Sequence, residues 1–409
     1  MDFYQEYITT IHDFSIDKER LIKRINELKG RRPASLVIPI LYEEVNNPPL
    51  KNIISNLNEG TCVNQVVVAL AAENAEQYIH VVEFFKELNV PHIVVWCDGP
   101  RIQHILFTMK KMGIDLTSYK GKGKDVWIAT GIATIDSYAI AYHDADIVTY
   151  SKDFPAKLLY PVVEPELNFF FNKGYYARIN MENKTMHGRV FRLFIRPLLD
   201  TMQMDSKADI LRYLLAFRYT LAGEFAMTSD LAMNIRIPAD WGLEVGLLAE
   251  VYRNTTTKKV CQTDLGYYDH KHQDVGSNRS EGLCKMVGDI FTTFMRIATE
   301  STDNKISPSY LHGIHVKYKR LGQDLIRRYH ADALCNGLCY NRHEEELYVD
   351  MFARVIRRAG EDYLEHPSDV LMPDWTRALS AMPDLREQLY EACVADEKEY
   401  CSGPVKGDD

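Results

Sequence analysis

No run of apolar residues in this chain approaches the roughly 20 needed to cross a bilayer, and residues 1–6 carry neither the basic start nor the apolar core of a secretory signal. Basic residues are in deficit: 48 Lys and Arg stand against 57 Asp and Glu, a formal net charge of −9. Binding to nucleic acid draws mainly on phosphate neutralisation, so a chain this acidic is a poor generic nucleic-acid binder. A local basic pocket for a small anion remains compatible with it. Cysteine is sparse as well. The eight thiols at Cys62, Cys97, Cys261, Cys284, Cys335, Cys339, Cys393 and Cys401 are scattered along 409 residues and read as reduced. Internal repeats and low-complexity tracts are lacking. These absences predict a cytoplasmic protein with no membrane and no nucleic-acid partner. The hydrophobic share of 46% is enough for a real core, in one large α/β domain with an appendage or in two modest ones.

Short apolar runs alternate with amphipathic stretches in the first third. Residues 35–41 (SLVIPIL), 65–70 (QVVVAL), 92–96 (HIVVW) and 137–142 have the uninterrupted character of strands buried on both faces. Helical spacing is expected over 17–31, 50–57, 76–88, 102–112 and 126–135. Strands alternating with helices imply a parallel sheet with right-handed crossovers, in which ligands sit at the carboxyl ends of the strands. After about residue 165 the pattern changes. Residues 167–171 and 175–180 read as two strands, a hairpin closed near Lys173-Gly174, and residues 188–202 read as a helix. The organisation predicted is an N-terminal helical segment (1–34), a catalytic domain (35–280, with a donor half at about 35–150 and an acceptor half at about 165–280) and a helical C-terminal extension (281–409).

Several segments carry possible chemistry. In Tyr142-His-Asp144-Ala-Asp146 two carboxylates follow directly on an apolar strand, and side chains at i and i+2 of an extended segment point the same way. Mg²⁺ is commonly held by one or two carboxylates plus substrate phosphates; a polar turn after a strand is the plain alternative. Gly121-Lys-Gly-Lys124 permits close backbone approach to a ligand but is neither a P-loop nor a dinucleotide fingerprint. On a helix from Gly188, Val190, Leu193, Phe194, Pro197 and Leu198 share one face. Arg189, Arg192 and Arg196 share the other, as a phosphate-binding or merely solvated basic surface. Two histidines, His270 and His272, follow Asp269 and could supply an imidazole to a metal. Glu244 lies in an apolar helix and needs a partner there, a sugar hydroxyl or an internal cation. His330, Cys335, Cys339 and His343 could form a zinc set, at spacings unlike those of zinc fingers.

In order and spacing, these segments resemble the retaining glycosyltransferases typified by glucosyl-3-phosphoglycerate synthase. The resemblance spans about residues 35–275 and rests on Pro39-Ile-Leu-Tyr-Glu-Glu44, Gly121-Lys-Gly123, Asp144 and Asp146. It continues through Gly188-Arg-Val190, Arg196-Pro-Leu-Leu199, Leu221-Ala-Gly-Glu-Phe-Ala226 and Gly242-Leu-Glu-Val-Gly-Leu-Leu248, and ends with the segment from Leu265-Gly266 to His270. It implies a GT-A (Rossmann-like) nucleotide-sugar-binding fold of the α/β class and a divalent metal, Mg²⁺ or Mn²⁺. Pro39, Leu41, Glu43 and Lys122 would bind the nucleotide part of the donor. Asp144 would lie near ribose and sugar, Glu244 would hold the sugar hydroxyls, and Asp146 and His270 would bind the metal. The Leu221 carbonyl would stand near the reacting centre, so that Asp144, Leu221 and Glu244 form the catalytic set. Arg189 would hold the acceptor, flanked by Phe191 and His272. The last two depart from the family pattern, which has a small hydroxyl residue and an Asn there.

The activity implied is glucosyl transfer from UDP-glucose, or from GDP-glucose, to 3-phosphoglycerate. The two departures keep open a mannosyl or glucosyl transfer from a GDP-sugar and an unphosphorylated glycerate acceptor. A sugar nucleotidyltransferase is disfavoured, because Tyr42-Glu-Glu-Val-Asn-Asn47 stands where its Gly-rich basic signature belongs. A non-catalytic nucleotide binder is disfavoured by the intact Asp144, Asp146 and His270. In the extension, Val349, Phe352, Ala353 and Ile356 fall on one apolar stripe, from which a homodimer is expected.

Overall fold

The computed structural model describes residues 3–60, 62–269, 279–302, 305–367 and 371–401, with side chains in the third segment from residue 282. The chain opens with β1 (Thr9–Ile11) and α1 (Lys18–Leu28), then alternates β2 (Ala34–Leu41), α2 (Pro48–Glu59), β3 (Gln65–Ala71), α3 (Ala75–Phe85), β4 (His92–Trp96), α4 (Pro100–Lys111), α5 (Lys122–Ala133), β5 (Ala139–Tyr142) and α6 (Phe154–Val163). There follow β6 (Phe171–Asn180), β7 (Thr185–Met186), α7 (Arg196–Asp205), α8 (Asp209–Ala216), β8 (Phe225–Thr228), α9 (Ser229–Asn234), α10 (Leu243–Asn254) and β9 (Val260–Tyr268). Five helices complete it: α11 (Arg279–Ser301), α12 (Pro308–Cys335), α13 (Arg342–Glu365), α14 (Trp375–Ala381) and α15 (Leu385–Cys401).

The strands form one sheet in the order β1-β9-β6-β8-β5-β2-β3-β4, with β7 paired to β6. Pairing is parallel except where β8 lies between β5 and β6 and where β7 meets β6. The strand alternation distributes the apolar runs between two cores. Val37, Val67 and Val95 face α4 and α5, while Leu36, Ile38, Val66 and Val68 face α1, α2, α3 and α6. Both faces are covered, so these strands read as continuous apolar runs. Among the described residues, no helix is long and apolar enough to cross a membrane.

Three expectations need correction. Residues 1–34 are not only helical, because β1 adds to the sheet beside β9 although some 250 residues separate them. The hairpin near Lys173-Gly174 is instead a single strand of 10 residues, β6, held between β8 and β9. Gly174 is there for close approach, not for a turn: a Cβ on it would lie 2.4 Å from the Leu265 side chain. The apolar stripe of α13 packs within its own chain. Val349, Phe352, Ala353 and Ile356 are buried, and the Phe352 ring lies 5.8 Å from that of Phe194. The stripe is therefore covered by its own chain and gives no argument for a second copy.

The C-terminal helices share one hydrophobic core with the sheet. Helix α15 covers the β4 edge, where Tyr400 contacts the rings of Tyr78 and Trp96 and the buried Asp396 pairs with Arg101. A strap at residues 371–375 runs against the 237–239 segment. Leu371 bridges to Pro238, and Met372 N donates to Ile237 O at 3.0 Å. The strap ends in an indole stack, Trp375 on Trp127 of α5 with centroids 4.0 Å apart. Each indole donates to the other's segment, Trp127 Nε1 to Pro373 O at 2.8 Å and Trp375 Nε1 to Trp127 O at 3.1 Å.

Candidate active site

The carboxyl edge of the sheet collects the ionisable side chains. Strand β2 ends at Leu41, and the short turn Tyr42–Asn46 that follows brings in Glu44. Past the end of β5 stand Asp144 and Asp146. Antiparallel β8 begins at this same edge, so Glu224 immediately before it arrives from the opposite direction. Strand β6 supplies Lys173 near its start and Tyr176 and Arg178 further along, and β9 ends in Tyr268.

Helix α5 presents its first residue, Lys122, to this edge. Gly121 has φ +105°, a left-handed conformation suited to glycine, and a Cβ on Gly123 would lie 2.2 Å from Pro238 O. The two glycines thus let the start of α5 lie against the 237–239 segment, where Gly123 N donates to Ala239 O at 3.3 Å. Lys122 Nζ then reaches Asp144 Oδ1 at 2.6 Å and Glu244 Oε1, in the first turn of α10, at 3.3 Å. Burial opposes the charge on Lys122, but Asp144 and Glu244 outweigh it and raise its pKa.

His143 fixes the backbone of the paired aspartates. A carbonyl only accepts, so Nδ1–H donates to Asp144 O (3.0 Å), and Nε2 accepts from the Tyr150 hydroxyl (3.1 Å). Burial pushes the imidazole down to about 4, so it is neutral in this role. On the other side of the pocket, Tyr176 and Tyr268 stack 3.9 Å apart and donate their hydroxyls to Glu224 at 2.8 and 3.0 Å. The Arg178 guanidinium donates to Tyr219 Oη at 2.6 Å and lies over the rings of Tyr219 and Tyr268.

The cluster is rich in negative charge. Glu44, Asp144, Asp146, Glu224 and Glu244 face Lys122, Lys173 and Arg178. Burial, then the neighbouring Asp144, raises the pKa values of Asp146 and Glu224. Burial, then Asp146 and Asp144, pushes Glu44 up to about 8. Five carboxyls against three cations leave a surplus of oxygen ligands of the kind a hard divalent ion takes, although among the described residues no three of them converge as a preformed cage.

The structure thus brings together Lys122, Asp144, Asp146 and Glu244. Pro39 is half-buried near the end of β2, Leu41 is half-exposed at its tip, and Glu43 is exposed on the next turn. Leu221 packs beside Tyr175, Tyr219 and Ala222. His270 and His272 lie outside the described residues. The expected arginine face does not form. Residues 190–195 wind as a π-turn, which turns Arg192 inward. Arg192 is buried against Glu345 of α13 (2.8 Å), and Arg196 pairs with Asp200. Arg189 is held by Glu344 (2.9 Å), Glu345 (3.3 Å) and the Tyr348 hydroxyl (2.9 Å). The Phe191 ring lies 5.1 Å from that of Tyr219, which links this segment to Arg178. Among the described residues no three His, Cys, Asp or Glu gather as a metal cage, so His330, Cys335, Cys339 and His343 do not form the zinc set.

Glu44, Lys173, Tyr176, Arg178, Glu224 and Tyr268 were not singled out from sequence. Glu44, Glu224 and Tyr268 had a visible signal, since all three fall inside segments that carry the family resemblance. Lys173 had a weaker one, a cation inside an otherwise strand-like run.

No family model matches the chain. Among curated proteins, glucosyl-3-phosphoglycerate synthase of Methanococcoides burtonii is 82% identical over 401 residues, covering 98% of this chain and 99% of that one. The synthase of Persephonella marina is 37% identical over 402 residues, covering 97% and 98%. The chain belongs to the glucosyl-3-phosphoglycerate synthase family. As a member it is a glycosyltransferase. A solved glucosyl-3-phosphoglycerate synthase, that of Mycobacterium tuberculosis in complex with Mn²⁺, UDP-glucose and phosphoglyceric acid, superposes with a TM-score of 0.52 at 20% identity. It covers 71% of this chain and 88% of its own. A second structure of that enzyme, with Mg²⁺ and UDP, aligns with the same score and identity over 71% and 86%. At this identity the likeness supports the α/β fold of the synthase family.

Proposed function

We propose that this chain transfers glucose from UDP-glucose to the hydroxyl of 3-phosphoglycerate, with retention at the anomeric carbon. The observation that carries the reading is the Lys122–Asp144–Glu244 cluster beside Asp146 at the carboxyl edge of the sheet. The near full-length kinship to two named synthases supports it. So do the ligands of the mycobacterial enzyme, namely UDP-glucose, phosphoglyceric acid and Mn²⁺ or Mg²⁺.

In this reading Asp146, with His270, holds the divalent ion. The ion, when bound, stabilises negative charge on the departing diphosphate. Pro39, Leu41 and Glu43 receive the nucleoside, and Lys122 sits between the diphosphate side and the sugar. Glu244, oriented by Lys122, accepts from the sugar hydroxyls and fixes the ring. Arg189 exchanges its carboxylate partners on α13 for the acceptor's anionic group, aided by the planar fork of the guanidinium. Orientation by these groups lowers the entropic part of the barrier.

Retention needs either a protein nucleophile or attack on the face that the leaving group vacates. Glu224 is tied to two tyrosine hydroxyls, and Asp144 and Glu244 to Lys122, which agrees with the front-face attack that the family resemblance implies. The acceptor hydroxyl therefore attacks from the leaving-group side. The bond from C1 to the phosphate oxygen breaks, the bond from C1 to the acceptor oxygen forms, and the departing phosphate takes the acceptor's proton.

The test is a product screen with UDP-glucose and GDP-glucose against 3-phosphoglycerate and glycerate, with Mg²⁺, Mn²⁺ or EDTA, and the anomer read by NMR. The expected product is α-configured glucosyl-3-phosphoglycerate from UDP-glucose, with none formed in EDTA. A higher kcat/KM with glycerate or GDP-glucose overturns the substrate assignment, and a β-anomer overturns retention.

A further inference from the structure

Lys173 is fully buried as the third residue of β6. Among the described residues its side-chain hydrogen bond goes to a backbone carbonyl, Ala222 O, at 2.7 Å. The ammonium stands 5.5 Å from the centroid of the Phe225 ring. Burial lowers its pKa to about 8, against the opposing pull of Glu244, Glu224 and Asp144. A buried ammonium costs more than an apolar side chain of the same size. A sheet interior filled by Val, Ile and Phe has no packing need for it.

The segment it holds, residues 219–224, is fixed at successive points. Ala222 N donates to Tyr219 O at 3.4 Å, and Gly174 N donates to Glu224 O at 2.8 Å. Gly223 lies so close to Asp144 that a Cβ on it would come within 2.6 Å of Oδ2. Tyr176 and Tyr268 hold the Glu224 carboxyl. The peptide between Leu221 and Ala222 lies in this held stretch, and Lys173 grips the next carbonyl along.

We propose that Lys173 is a positioning residue for glucosyl transfer. Through Ala222 O it sets the Leu221–Ala222 peptide and so aims the Leu221 carbonyl at the reacting centre, while its charge balances Asp144, Glu224 and Glu244 from beneath. The inference rests on the proposed glucosyl transfer and on the place near the reacting centre that the family resemblance implies for the Leu221 carbonyl. The mechanism is indirect, since Lys173 itself is sealed from the pocket.

Steady-state kinetics on Lys173→Met, with UDP-glucose, 3-phosphoglycerate and Mg²⁺, provide the test. Methionine keeps the stem and removes both donor and charge. The expected result is a kcat lowered by about a hundredfold, with KM for UDP-glucose and the affinity for UDP changed by less than about threefold. Lys173→Arg, which retains a cationic donor, should recover about tenfold over Lys173→Met. If the methionine variant does not fold, Lys173→Gln carries the same comparison. A kcat within about threefold of wild type overturns the inference, and so does a parallel loss of UDP affinity and kcat, which is the mark of a scaffold residue. Wild-type protein inactive with these substrates removes the underlying reading and the inference with it. That outcome is seen before any variant is made.

Discussion

The stack of Trp375 on Trp127 yields a prediction with a change of sign. Trp375 is 1% exposed, and Trp→Ala changes in a core cost about 3–5 kcal/mol. Gly131, one helical turn beyond Trp127, sits under the same ring: a Cβ added there would lie 2.2 Å from two atoms of the Trp375 indole. Gly131→Ala in the intact protein therefore overpacks the stack, a cost of about 1–3 kcal/mol. The ring is anchored by its own hydrogen bond, so the upper part of that range applies. Alanine also gains about 1 kcal/mol over glycine inside a helix, which leaves a net loss of about 1–2 kcal/mol. Once Trp375 is alanine, the obstruction is gone and the helical gain remains. Gly131→Ala should then stabilise the variant by about 0.5–1 kcal/mol. The coupling between the two sites is about 1.5–3 kcal/mol, well above the few tenths expected of independent positions. Urea unfolding of the four proteins, followed by far-ultraviolet circular dichroism, measures it. If Gly131→Ala has the same effect in both backgrounds to within about 0.5 kcal/mol, the close packing of the strap on α5 is refuted.

Three further outcomes are expected. Glu44 has a folded pKa raised by burial from 4.5 to about 8, so it favours the fold at low pH and loses that contribution as pH rises toward 8. The Tm of Glu44→Gln in EDTA should therefore gain on wild type between about pH 5 and pH 8.5, and a constant or shrinking gap contradicts the burial argument. Asp146→Ala should lower transfer by about a hundredfold or more while leaving the Tm in EDTA unchanged or higher, because it removes a carboxyl repelled by Asp144; full activity of wild type in EDTA sinks the metal assignment. Arg189→Ala should raise the acceptor KM about tenfold or more, and Arg189→Lys should also be impaired, since a point charge cannot replace the fork; an unchanged acceptor KM places the acceptor elsewhere.

The parallel half of the sheet was legible because strands covered on both faces are apolar throughout, and the helices between them keep their period. Asp144 and Asp146 could be found because they directly follow such a strand. Lys173-Gly174 misled because a lysine and a glycine together read as a turn. The glycine is demanded by Leu265 and the lysine is buried against a carbonyl, and both are tertiary facts. The arginines misled for a local reason: one π-turn at 190–195 rotates Arg192 from the surface into the core. The stripe on α13 was correctly read as apolar, but sequence cannot say which surface it meets, and here it is Phe194 of the same chain. Glu44 differs from Glu43 in no feature of composition. Only the fold turns one toward the aspartates and leaves the other in water.

The strap at residues 371–375 also has a consequence for how the protein comes into being on the ribosome. Lys122 stands on a helix start laid against residues 237–239, and that segment is gripped from its far side by residues synthesised more than 100 positions later. Strand β1 must likewise wait for β9 before it has a partner. At roughly 5–20 residues per second, the interval between the emergence of Trp127 and that of Trp375 is on the order of ten to fifty seconds. Throughout that time the Trp127 indole lacks the ring that stacks on it. A nascent chain stalled before residue 371 would therefore expose the Trp127 face of α5, an apolar patch of the kind a chaperone binds.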